Sequence, residues 1–201
     1  MKQKDLMNKG LAERRGDVIR VAARLFAAKG YHATTLDQIA EEIGITKPAL
    51  YYYITNKEDI LRTIINRILE PMQEAVNAGR SELNPREKMR AIIQILVRSS
   101  AESKETTLLA FEQANILPMR SRNALRRHQK EVERITEQTL KDGMEQGCFV
   151  VSDIKMATFA ILAASNWVYR WYQPEGGFTT KEIADHYITL LENGYLKKGS
   201  D

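Results

Sequence analysis

Apolar residues recur at helical spacing along almost the whole chain. Val18, Ala22, Leu25 and Phe26 form a first stripe, and Ile39, Ala40 and Ile43 a short second one. Ile60, Leu61, Ile64, Ile65, Ile68 and Leu69 form a wide third. Period-two alternation of β-branched residues is absent, and no unit of 20 to 50 residues repeats. The pattern predicts an all-α chain of about nine helices near 11–29, 36–43, 47–53, 57–79, 85–103, 105–116, 120–146, 153–172 and 180–197.

The second and third of these carry the sharpest local signals. Thr35 and Gln38 have the spacing of a capping box. Gly44 offers the left-handed conformation that ends a helix cheaply, and Ile45 follows as an anchor. Thr46 is then a good N-cap, and Pro48 is tolerated because first-turn N–H groups lack intrahelical partners. Leu50 and Tyr53, three apart, face back onto the preceding helix. Lys47, Ala49, Tyr51 and Tyr52 point elsewhere. Ala40 is small enough to let two crossing helices approach closely. This reads as a helix-turn-helix with its recognition helix second, against the plainer reading of an αα-hairpin with aromatic surface residues.

Residues 15 to 62 resemble the TetR family of bacterial transcriptional repressors. The likeness rests on the first stripe, Lys29-Gly30-Tyr31, Thr34-Thr35, Gly44-Ile45-Thr46-Lys47, Leu50-Tyr51-Tyr52-Tyr53 and Asn56-Lys57-Glu58, in the family's order and spacing. Ile54 stands where the family commonly has Phe. The resemblance implies a homodimer on a palindromic double-stranded DNA operator and a small-molecule effector. Thr35, Tyr52, Tyr53 and Lys57 are expected near phosphates, with Thr34 and Thr46 as weaker candidates. Lys47, Pro48, Ala49 and Tyr51 are expected at base edges in the major groove.

Charge agrees with that placement. The chain carries 30 Lys and Arg against 26 Asp and Glu, a net +4. Residues 1–57 hold ten basic and six acidic side chains, so the whole excess lies there and attracts phosphate. The expected division is a DNA-binding domain at 1–57 and a helical effector-binding and dimerisation domain at 58–201. Cys148 is the only cysteine, so no intramolecular disulfide forms and a reducing cytoplasm suits the chain. The longest apolar run, Phe159 to Ala164, is far too short to span a bilayer, and no membrane partner is expected.

In the second region, Phe159, Ile161, Leu162, Trp167, Val168, Trp171 and Tyr172 surround one helix, which predicts burial on all sides. Ile183, Ala184, Tyr187, Ile188, Leu191 and Tyr195 give the last helix a matching stripe. These two helices are expected to pair with their copies across a two-fold axis, the alternative being packing inside one chain. An apolar effector cavity is sought among Met89, Ile93, Leu96, Phe111, Trp167 and Trp171, each of which also suits an ordinary core. Arg120, Arg122, Arg126 and Arg127 crowd the start of a helix, where positive charge opposes the dipole. Glu131, Glu133, solvent or an anionic ligand would compensate them. With the Asn166-to-Pro174 segment they resemble TetR-type sensors of acyl-coenzyme A.

No glycine-rich phosphate loop, metal-spaced Cys/His cluster or Ser/His/Asp set is present, so neither enzyme activity, metal nor cofactor is expected. His32 is read as a turn residue or a phosphate contact. The resulting expectation is a repressor that leaves its operator when an effector binds. The alternative is a helical small-molecule-binding or interaction module that never touches DNA.

Overall fold

The computed structural model describes residues 2–112 and 114–193. Among these the chain is all helical, without strands. The helices are α1 (Lys2–Lys29), α2 (Leu36–Ile43), α3 (Lys47–Leu50), α4 (Lys57–Arg80), α5 (Pro85–Glu102), α6 (Lys104–Phe111), α7 (Met119–Glu145), α8 (Ile154–Asn166) and α9 (Thr180–Asn193). Two short 3-10 turns, Ala114–Ile116 and Trp167–Arg170, continue the chain after α6 and α8. They shorten two expected helices, as does a turn over 51–53 after α3. Tyr195 and the expected last turn to 197 lie outside the described residues.

By contacts the chain forms two compact units. The first takes the residues up to Ile68 together with Glu105–Leu125; the second takes Leu69–Lys104 and the residues from Arg126 onward.

In the first unit α2 packs on α1, and α3 on α2. Val18, Ile19, Ala22, Phe26, Ile39, Ala40, Leu50 and Ile54 are buried, so Ile54 fills the expected Phe site. Removing such side chains from water is the main favourable contribution to this packing, about 1.5–3 kcal/mol for each large one.

In the second unit α5 is the central strut, packed against both α8 and α9. Met89, Ile93, Val97, Leu140, Ile161, Val168, Ile183, Ala184 and Ile188 make its core. Within one chain, helix α8 and the turn after it are covered on one side, through Thr158, Ile161, Ser165 and Val168, while Met156, Phe159 and Trp167 stand exposed, the side left for a second copy. The expectation for α9 is corrected. The α9 stripe turns Ile183, Ala184 and Ile188 inward against their own chain, leaving Leu190 and Leu191 exposed. Periodicity marked the apolar positions but not which side the chain itself would cover.

Candidate DNA-reading helices and effector cavity

The geometry of α2 and α3 follows from caps acting over a few residues. The Thr35 hydroxyl accepts from the Gln38 N–H at 3.2 Å, and the Gln38 side-chain oxygen accepts from the Thr35 N–H at 3.0 Å. At the other end Gly44 adopts φ 79°, which an L side chain rarely tolerates. Its N–H donates to Glu41 and that of Ile45 to Ala40, each at 3.0 Å, closing the helix in a Schellman motif. Thr46 restarts it, accepting from the Ala49 N–H at 3.3 Å. Leu50 is fully buried and fixes the rotation of α3. Lys47, Pro48 and Tyr51 are thereby exposed, Ala49 and Tyr53 half-buried, and Tyr52 is 83% exposed.

Two lysines differ in setting. Lys47 donates to Asp37 at 2.9 Å, which raises its pKa, but both side chains face solvent and such a pair gives way readily to a competing anion. Lys57 lies 4.5 Å from the Tyr31 ring centre and 3.3 Å from the His32 carbonyl oxygen. Burial lowers its pKa. Thr35 and Thr46 are exposed, whereas Thr34, expected near a phosphate, is fully buried. Its hydroxyl donates to the Gly30 carbonyl at 2.9 Å, with that of Leu25 at 3.3 Å. Thr34 therefore closes the end of α1 and presents nothing to DNA in this conformation.

Asp59 anchors the start of α4 in the same unit. Burial opposes its charge, yet the Thr55 N–H, Arg62 and Arg15 outweigh that and hold its carboxyl below the ordinary range. Arg62 donates to it at 2.8 Å and Arg15 at 3.5 Å, so one carboxylate ties α1 to the first turn of α4.

The second unit encloses a cavity of about 490 Å³. Met89, Ile93, Leu140, Phe149, Ile161 and Ile188 supply its apolar wall. One wall depends on the turn after α7. There Gly147 adopts φ 71°, and the Cys148 and Phe149 N–H groups both donate to the Gly143 carbonyl, at 2.8 and 3.1 Å. A Cβ on Gly143 would stand 2.1 Å from the Phe149 ring, so only glycine lets that ring seat on the helix. Arg86, Arg90 and Glu192 also line it. Each guanidinium grips the Glu192 carboxylate through two donors, Arg86 at 3.1 and 2.8 Å and Arg90 at 2.7 Å twice. The hydrogen bonds from Arg90 and Arg86 overcome burial and take the Glu192 carboxyl down from 4.5 to about 2. Its contribution to stability is thus present above pH 4.5 and lost as the pH falls from there toward 2.

Of the expected effector residues, Met89 and Ile93 line this cavity. Leu96 is buried elsewhere along α5. Phe111, Arg120 and Arg122 fall in the first unit. Arg126 and Arg127 are exposed on α7 and Trp167 and Trp171 are exposed near α8, none of them lining the cavity. Nor do the expected acidic partners serve those arginines: Glu131 pairs with Arg80, and Glu133 and Glu137 with Lys155. The sequence did hold a signal for the arginines that do line it. Arg86 and Arg90, four apart, flank Met89 on one helix, but their partner is about a hundred residues away.

Comparison with known proteins decides the family. Residues 18–64 match the pattern described as bacterial regulatory proteins, tetR family, and residues 82–195 match the tetracyclin repressor-like C-terminal domain. The chain belongs to the TetR family. It is a DNA-binding transcriptional regulator, similar to the repressor KstR2 of Rhodococcus jostii, with 28% identity over 92% of each chain. A TetR/AcrR regulator from Thermobifida fusca shares 34% identity over 92% of this chain and all of its own, with a TM-score of 0.64. AibR, solved with isovaleryl coenzyme A and operator DNA, shares 27% identity over 88% of this chain and 97% of its own, with a TM-score of 0.65. Among the described residues, no helix of this TetR-family chain is long and apolar enough to cross a membrane.

Proposed function

We propose that this TetR-family regulator is a homodimeric cytoplasmic repressor whose operator affinity falls when a small molecule fills the cavity of its second unit. The carrying observation is the bared face of α3: buried Leu50 and the Thr46 cap hold it rigid while Lys47, Pro48, Tyr51 and Tyr52 remain open.

DNA contacts divide into two sets. Lys47, Pro48, Ala49 and Tyr51 read base edges, Lys47 leaving Asp37 for a guanine acceptor. Thr35, Thr46, Tyr52, Tyr53 and Lys57 position the backbone. Residues 1–57 supply this reader, and 58–201 the effector and dimer functions, by binding and without catalysis. Exposed Phe159, Trp167 and Leu190 supply an apolar surface suited to a second copy, which sets the two readers about 34–36 Å apart on a palindrome. AibR, with its thioester ligand and operator, supports an effector with an apolar acyl body and negative charge. Such a ligand releases DNA only by preferring a conformer with α4 tilted, since equal affinity for both states shifts nothing.

Fluorescence anisotropy with the intergenic DNA upstream of its own gene tests this. Lys57→Ala should weaken binding to every sequence and reduce the salt slope by about one. Lys47→Ala should instead relax base preference. No binding to that DNA by the purified chain at low salt would overturn the reading.

A further inference from the structure

The Arg86–Glu192–Arg90 cluster belongs to the second unit and takes no part in the DNA-reading face. Two guanidiniums share one carboxylate, so the trio carries a surplus positive charge at an otherwise apolar cavity. The neighbouring acid does not cancel it: Asp185 lies within electrostatic reach of Arg90 but is itself held by Lys181 at 2.7 Å. Both arginines are about half exposed, whereas the carboxylate they grip is mostly covered. The cations thus form a rim open to solvent, and Glu192 occupies the seat between them. All four hydrogen bonds reach one planar pair of oxygens, a geometry that guanidinium forks match and an ammonium does not.

We propose that Glu192 is a built-in stand-in for the negative group of the effector, and that a ligand with an apolar body and a terminal oxyanion binds by displacing it from Arg86 and Arg90. This rests on the reading of the cavity as the effector site. The apolar body would lie against Met89, Ile93, Phe149 and Ile161, in a volume within the roughly 300–1,000 Å³ usual for small-molecule sites. Exchange is cheap because one oxyanion replaces another and no charge is left unpaired in the cavity. Its structural consequence lies at α9: Glu192 ties the last turn of that helix to the first turns of α5, and the ligand unties it. Ligand and tether compete for the same donors. The oxyanion is the shared chemistry of a free fatty carboxylate and of the phosphates of a thioester coenzyme.

Calorimetry on the full chain with decanoate, decanoyl coenzyme A and decanol separates these. One or both anions should bind at least about tenfold more tightly than decanol, the worth of one charge-assisted hydrogen bond. The anion that does so identifies the source. Glu192→Gln should tighten that anion about tenfold further and leave decanol unchanged, because only the competitor is removed. Arg86→Gln with Arg90→Gln should erase the difference between anion and decanol, with thermal melting confirming that both variants fold. Decanol binding as well as either anion, or a Glu192→Gln variant with unchanged anion affinity, would overturn the displacement while leaving the cavity as an effector site. Failure of all three probes to bind would overturn both.

Discussion

Around α2 and α3 the helix ends are set across a few residues: Thr35 with Gln38, Gly44 with Glu41, Thr46 with Ala49. Around the cavity the determinants span the chain, with Arg86 and Arg90 meeting Glu192 at separations of 106 and 102 residues. Local caps fix where these helices begin and end, and burial of Leu50 then fixes the rotation of α3, which suits a reader that must present the same side chains each time. A cavity closed by distant segments is instead only as firm as the packing that brings them together, which suits a part that changes state.

The largest test of this contrast is Ile188. Only 4% exposed in the core of the second unit, it should on change to Asp lose about 3–5 kcal/mol, because an unpaired charge enters an apolar core. Urea melts monitored by circular dichroism measure this. Leu190→Asp, two residues along on the exposed side, should leave stability within about 0.5 kcal/mol and dissociate the dimer in sedimentation. The reverse pattern would put Ile188 on the dimer surface and the assignment of the two sides of α9 would be wrong.

Leu50→Ala comes next, with an expected loss of about 2–5 kcal/mol in the first unit. Operator binding should fall with it, while probe binding in the cavity stays as it was. Loss of both would mean that the two units do not melt separately. Gly143→Ala is expected to cost about 1–3 kcal/mol, since the added carbon meets the Phe149 ring and must push it off α7. Here the cavity ligand should suffer and the operator should not, as paired titrations would reveal. Smallest is Thr35→Ala, about 1 kcal/mol from the lost cap. If thermal melts showed no shift at all, α2 would be held by burial of Ile39 and Ala40 rather than by its own ends.

These variants also mark what was legible beforehand. The bounds of α2, the cap at Thr46 and the inward turn of Leu50 were all readable, the first two from residues within one turn and the third from its apolar spacing with Tyr53. The setting of Thr34 is visible only in three dimensions: its neighbour Thr35 caps a helix at the surface, while Thr34 lies under the end of α1 with its hydroxyl already engaged. The Arg120-to-Arg127 cluster and the cavity are likewise separate features. A crowd of like charges on a helix attracts attention, but neither Trp167, 57% exposed, nor these arginines are among the residues that line the cavity of α5, α7, α8 and α9.

The sequence by itself determined the helical class, both ends of α2 with the start of α3, and the concentration of positive charge at the N-terminal end. All three follow from propensity, capping and composition, which operate before the chain closes on itself. Tertiary structure decided which sides of α8 and α9 face inward and which arginines meet the cavity. Periodicity marks an apolar stripe without naming its partner, and a hydrogen bond across a hundred residues exists only once α9 has packed on α5.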